Sequence, residues 1–327
     1  VDKFKNSSFV KKVGFNRVVL FGVLILMYVV FAMLAPTFLQ YSRILSALNY
    51  AYFLGFLAFG VTFVIATGGI DFSIGPVMFA AALISGQLLT QSKLPLVLCF
   101  LISILVGLVF GALNGYLVAY WGLPSFITSM ASMQIAKGLG SVFTKTQSVS
   151  WPQSDAANGW YRYLVRVDVG SVGIPVGLII LIVAAVIFST ILTKTKVGRY
   201  ICCLGSNKEA TRLSGVDVKK YEMIAYIICG LCAGIAAIFY VGAYTTVQPG
   251  LGDTYNNEAI ASCVMGGTSM SGGLASILGS FIGTMVIALI QEGILAMGFQ
   301  KDYQYVITGI ILLFAVYADI RSRRRKN

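Results

Sequence analysis

Three carboxylates, Asp71, Glu258 and Glu292, interrupt or border long apolar stretches, and amides recur in similar settings at Asn49, Asn114, Gln134, Gln248 and Asn256. Ser73, two residues after Asp71, adds a hydroxyl. Such groups can hydrogen-bond a passing polar solute without trapping it in a deep well. By position, Asn49 and Gln134 suit a lumen, and Gln248, Asn256, Glu258 and Glu292 suit an outer gate. Some of these side chains instead pair between helices. The chain has no histidine, and no nucleophile and base, paired acids or metal-ligand set occurs within the apolar runs, which argues against an intramembrane enzyme. Cys229 and Cys232 form a C-x-x-C inside an apolar run without a second pair, and read as small packing residues rather than a zinc or redox site. The six cysteines show no disulfide framework.

The frame that must position these groups is a membrane. Of the 327 residues 57% are hydrophobic and only 11% charged, with a mean hydropathy of +0.84. Soluble chains carry about a quarter charged residues. The net charge of +12 fits anionic lipid better than nucleic acid. The basic start runs into an apolar stretch long enough to span, without a small-residue cleavage pattern, so the first helix is expected to serve as its own insertion signal.

Spans are expected at 18–35, 44–67, 74–91, 94–120, 124–143, 173–193, 223–245, 274–298 and 303–320, each near the length of about 20 residues that crosses hydrocarbon. A shorter Gly-rich piece, 258–272, is a tenth candidate. Most of the 24 basic residues fall in three clusters, at 3–17, 194–220 and 321–326. The positive-inside rule places all three in the cytoplasm and requires an even number of crossings between them. That parity promotes 258–272 to a crossing or a broken segment. The expected fold is an all-α polytopic membrane protein with about ten transmembrane helices, eight being the fallback, and with both termini cytoplasmic. Its parts are a basic N-terminus (1–17), one transmembrane body (18–320) with an external loop at 144–172 and a cytoplasmic loop at 194–222, and a basic tail (321–327). Trp151, Trp160, Tyr161 and Tyr163 in the external loop suit an interfacial belt.

Glycines four apart, at 107/111/115, 173/177, 230/234 and 279/283, predict faces where helices approach closely. Asp71 would cost roughly 2.5–3.5 kcal/mol at a bilayer centre. The span count puts it near the cytoplasmic end, where it can cap a helix starting at Phe72 or Ser73, or take part in gating. In the cytoplasmic loop, Ser206 or Asn207 can cap a short helix, with Glu209 in its first turn and Gly215 as its stop.

Three segments resemble one family in its order: Gly69-Ile70-Asp71-Phe72-Ser73-Ile74-Gly75; Gly198-Arg199-Tyr200 with Gly205 to Gly215; and Glu258-Ala259-Ile260-Ala261 through Gly266 to Gly273. The family is the permease subunits of ATP-binding-cassette importers for monosaccharides, of the ribose, galactose and xylose type. The similarity extends from about residue 36 to 319. It implies a permease dimer, identical copies being expected, with ATPase subunits below and a periplasmic or lipid-anchored sugar-binding protein above, in a bacterial inner membrane. Nothing in it calls for a nucleic-acid partner. The second segment resembles the coupling element that seats on the ATPase, which carries Gly198, Arg199, Gly205, Asn207, Glu209, Ala210, Arg212, Leu213 and Gly215 over as interface candidates. They would transmit force and perform no chemistry.

The chain holds no G-x-x-x-x-G-K-[ST] string, so ATP and Mg belong on the partner and no cofactor is expected here. Asn256 and Asn257 stand where the family has a Glu and an aliphatic residue, Glu258 where it has Asp, and Pro76 is uncommon. These departures bear on the particular sugar more than on the class. Branched-chain amino acids are a substrate alternative, since their permeases are related. An ion-driven secondary transporter is a mechanistic rival, disfavoured by the lack of histidine, the few intramembrane carboxylates and the coupling pattern.

Overall fold

The computed structural model describes residues 15–170, 172–300 and 302–324. The helices are α1 (Phe15–Leu34), α2 (Tyr41–Ala66), α3 (Ile74–Thr90), α4 (Leu96–Ala119), α5 (Ser125–Phe143), α6 (Val176–Lys194), α7 (Lys196–Ser206), α8 (Lys208–Leu213), α9 (Val218–Ala243), α10 (Asp253–Met265), α11 (Ile277–Ala296) and α12 (Tyr303–Arg324). Short strands β1 (Val149–Ser150), β2 (Val167–Val169), β3 (Val172–Ile174) and β4 (Thr246–Val247) tie the connections together, β1 antiparallel to β4 and β2 to β3. The apolar runs became helices within a few residues of the expected bounds. Three of them start directly after a proline, Pro95, Pro124 and Pro175. Proline's missing N–H costs nothing there, because the first N–H groups of a helix have no intrahelical partner.

Five helices, α2, α4, α6, α9 and α11, are long and apolar enough to cross a membrane, and shorter apolar stretches lie in α1, α3 and α12. The protein is a multi-pass membrane protein. Helix α2 is its axis: every residue from Tyr50 to Ala66 is buried. Helices α4 and α6 lie outside it. On α4, Leu98, Leu101, Leu105, Val109 and Leu113 form an exposed stripe, while Gly107, Gly111 and Asn114 face inward. An apolar stripe turned outward is what hydrocarbon solvates.

The glycine spacing marks true contacts. A Cβ on Gly107 would sit 2.2 Å from the Gly230 carbonyl oxygen, and one on Gly230 would sit 2.1 Å from that of Gly107, so α4 and α9 touch backbone to backbone. Gly279 and Gly283 similarly abut Gly266 and Ser262, joining α11 to α10. Gly173 is an exception, lying in β3 rather than on a helix face. Cys229 and Cys232 are buried, and Gly60 of α2 packs against both.

Four expectations are corrected. First, the Gly-rich 258–272 piece, broken as one of its two readings allowed, has a different start: α10 runs from Asp253, five residues ahead of the expected bound, to Met265, and turns then carry the chain to α11. Helix α10 has only 13 residues and follows a loop from β4 that contains Pro249 and two glycines of positive φ. Second, Asp71 does not cap a helix at Phe72 or Ser73. Helix α3 begins at Ile74, and the Asp71 carboxylate closes the turn before it by accepting from the Ser73 N–H and hydroxyl. Third, Trp151 and Tyr161 do not belong to an interfacial belt. Both are buried in the 144–172 connection, where Trp151 donates to the Ala82 carbonyl, and burial pushes the Tyr161 phenol up to about 12. Only Trp160 and Tyr163 stay exposed. Fourth, the 194–222 segment holds two helices, α7 and α8, where one was expected. The basic cluster at Lys3 to Lys12 lies outside the described residues.

Candidate translocation and coupling sites

Two polar assemblies sit inside the bundle. In the first, the turn between α2 and α3 is clasped from three sides. Asn114 of α4 donates to the Ser73 hydroxyl at 2.9 Å and accepts from Ser132 of α5. Asn256 of α10 accepts from the Gly75 N–H at 2.7 Å and donates to the Phe72 carbonyl. Ser125 of α5 accepts from the Ile70 N–H. Asp71, Ser73, Asn114 and Asn256 are all buried, so each bond satisfies a group that hydrocarbon would leave bare. Asn256 therefore joins Asp71 and Ser73, not the outer-gate group in which its sequence position put it.

In the second, Glu258 of α10 accepts from Tyr50 of α2 and, at 2.7 Å, from Gln304 of α12. Glu292 of α11 lies 3.6 Å from Arg43 of α2. Lys137 of α5 pairs with Asp253 at the first residue of α10. A cavity of about 400 Å³ opens beside this assembly, between α10 and α12. Asn49 is half-buried on α2, Gln134 is exposed on α5 and Gln248 is exposed after β4. None of these three joins either assembly.

The α7 end of the bundle carries the expected coupling residues. Asn207 caps α8 by accepting from the Ala210 N–H at 2.9 Å. Arg212 grips Glu209 with two hydrogen bonds, at 2.6 and 3.1 Å, one turn apart. That grip holds the exposed Glu209 carboxyl below the usual carboxylate range and raises Arg212. The chain leaves α8 through Gly215 at φ +79°, a left-handed conformation that glycine adopts without a steric cost. Arg199, Ala210 and Leu213 are exposed, Leu213 at 77%. Below them Lys208 ties α8 to Glu222 of α9 at 2.8 Å.

Gly198 and Gly205 have a packing role. A Cβ on Gly198 would meet the Leu192 carbonyl oxygen at 2.1 Å, and one on Gly205 would meet the Ala66 carbonyl oxygen at 1.9 Å and the Gly273 nitrogen at 2.6 Å. Helix α7 thus rests directly on the end of α2 and on the Gly-rich turns after α10.

The family model described as the permease component of branched-chain amino acid transport systems matches residues 43–316. The chain belongs to this family. Among the relatives of this permease, the ribose import permease of Bacillus subtilis is 33% identical over 90% of each chain, and that of Escherichia coli K12 is 31% identical over 92% of each. The D-allose transport system permease of Escherichia coli K12 is 30% identical over 91% of this chain and 90% of its own. No solved structure matches. The relatives are transport subunits, and this permease is one as well.

Sequence reasoning missed Tyr50, Gln304, Arg43, Ser132 and the Lys137–Asp253 pair. Lys137 had a signal: it is a charge inside an apolar run, which marks an interior or water-facing site with a partner. Tyr50 and Gln304 had none, since their pairing with Glu258 depends on three helices meeting.

Proposed function

We propose that this permease forms the membrane pathway of an ATP-driven importer for a monosaccharide, in a bacterial inner membrane. The reading has α1 to α6, α9, α11 and α12 as crossings and α10 with the turns after it as a broken tenth, with both termini and the α7–α8 segment on the cytoplasmic side. A separate ATPase subunit, holding ATP and Mg, docks on α8. A periplasmic or lipid-anchored binding protein delivers the sugar to the opposite end, and two permease copies enclose the route. This chain itself carries no cofactor. The observation that carries the reading is α8 itself: a capped, ion-paired helix with exposed apolar and charged residues, seated through α7 on the bundle. Closure of the ATPase pair would move α8 as a rigid body and shift the bundle between outward-open and inward-open forms. The ribose and allose relatives support a sugar as cargo.

The test is uptake of labelled pentoses and hexoses into proteoliposomes holding the permease with its ATPase and binding protein, each omitted in turn. Uptake that requires ATP and both partners is the expected result. Uptake by the permease alone under an imposed ion gradient would overturn the ATP-driven reading, and uptake of leucine, isoleucine or valine in place of sugars would overturn the cargo. Glu209→Ala or Gly215→Val is expected to abolish uptake with the protein still inserted. Normal ATPase docking and uptake in both variants would reject the coupling role.

A further inference from the structure

The cavity between α10 and α12 opens to the surface of the bundle and carries several polar groups on its wall. Asp253, Thr254, Asn257 and Glu258 line it from α10, and Tyr305 and Thr308 from α12. A fissure filled by lipid chains would be lined by hydrocarbon. Here carboxylates, an amide and hydroxyls are set into a mainly apolar wall, as in small-molecule sites, and the volume of about 400 Å³ falls within the roughly 300–1,000 Å³ of such sites.

Its charges are already engaged within the protein. Asp253 pairs with Lys137, and Glu258 is held by Tyr50 and Gln304. Both carboxylates on this wall are thus already ion-paired or hydrogen-bonded within the protein, which leaves the neutral amide and hydroxyls to meet a ligand. The Thr308 hydroxyl is buried, only 4% of the residue being exposed, yet makes no hydrogen bond within the protein. One turn earlier the Gln304 Oε1 is also buried without a donor. Native proteins leave few such groups, and each calls for a partner. Tyr305 supplies an aromatic wall for the C–H face of a ring. At Gly309 a Cβ would meet nothing within 4 Å, so the wall stays low there.

We propose that this cavity binds a neutral polyhydroxylated ring, a free monosaccharide, with Thr254, Asn257 and Thr308 as its hydrogen-bonding residues and Tyr305 as its stacking surface. The proposal rests on the sugar-import reading and places the cargo on α10 and α12. The three polar residues discriminate among sugars by hydroxyl arrangement, because a site built to pair a hydroxyl rejects the analogue that leaves its own group unpaired.

Two measurements test it on the complete transporter in proteoliposomes. The first compares wild type with Thr308→Val and Thr254→Val, both close in shape to the native residue, for maximal uptake of D-ribose, D-xylose, D-allose and D-galactose at saturating binding protein. The expected result is a change of about tenfold in the ratio of rates between sugars. The second places Asn257→Cys and follows its modification by a hydrophilic methanethiosulfonate reagent, read by mass spectrometry on the peptide holding residue 257. The transported sugar is expected to slow that modification at least about threefold at millimolar concentration, and a sugar that is not transported is expected to leave it unchanged. Unaltered ratios in both valine variants, together with equal modification with and without sugar, would overturn the site while wild-type uptake upheld the importer. A wild-type complex that imports none of the four sugars would overturn the sugar reading and this site with it.

Discussion

At the residue scale, the smallest device with a functional consequence is the cap on α8. Six residues are too few for a helix to persist in water unaided. Asn207, the Glu209–Arg212 pair and the tie from Lys208 to Glu222 hold it instead. Asn207→Ala removes the first of these, at a cost of about 1 kcal/mol. The expected outcome is a several-fold loss of ATP-dependent uptake with membrane insertion unchanged, measured by uptake and by protein recovered in the membrane fraction. The ion pair adds a pH statement. A carboxylate whose folded-state pKa is lowered contributes stability above its unfolded pKa and loses it as pH falls through the lowered value. The pair therefore stays formed across about pH 6–8, well above the carboxylate range. Wild type and Glu209→Gln should differ in coupling by a constant factor over that interval, and a ratio that changes steeply within it would contradict this.

Buried groups obey a stricter rule. Asn114 bonds both Ser73 and Ser132, so Asn114→Leu leaves the Ser132 hydroxyl without this acceptor, at about 1–3 kcal/mol, and leaves Ser73 with its bond to Asp71. A lowered melting temperature of the detergent-solubilised protein is expected, with a smaller drop for Asn114→Ser.

At the scale of elements, glycine decides which helices touch. Gly107→Leu would drive a side chain into the α9 backbone, while Leu105 two residues earlier points outward and is 58% exposed. Gly107→Leu should sharply reduce the folded yield, and Leu105→Ala should change the melting temperature little; equal effects would show that α4 and α9 do not pack through this seam. This seam was legible in the sequence because close approach requires small residues at a four-residue spacing. The helix bounds were legible too, since length and apolarity are local. Other features were not. Helix α7 reads as a polar loop because its apolar residues, such as Ile201 and Leu204, occupy only one face and bury against the bundle. The Gly-rich piece left both a crossing and a break open, because Gly, Ser and Thr are common in both settings, and the position of the break after Met265 was not legible. At the site, Asp71, Ser73, Asn114 and Asn256 could each be picked out singly, but their meeting depends on α3, α4 and α10 converging, which no local pattern encodes. The same holds for Glu258 with Tyr50 and Gln304.

At the scale of the whole molecule, the two ends of the proposed mechanism are physically continuous. Helix α8 joins α7 without a break beyond Asn207, and Gly205 near the end of α7 lies against Ala66, the last residue of α2, and against Gly273. The Gly273 N–H donates to the Ala66 carbonyl at 3.0 Å, closing the contact. Helix α2 then carries Tyr50, which holds Glu258, and the turns before Gly273 lead back to α10, which lines the cavity. In the proposed mechanism a push on α8 would have a closely packed route to both walls of the second polar assembly. Gly205→Val would pry α7 off this seat, since its Cβ would overlap the Ala66 oxygen. The expected outcome is uncoupling, in which the ATPase still binds and hydrolyses ATP while sugar uptake falls at least about tenfold. ATPase binding itself should persist because the exposed face of α8 is untouched by the change. Retention of full uptake in Gly205→Val would place the transmission elsewhere, and the Lys208–Glu222 tie to α9 is then the remaining link from α8 into the bundle.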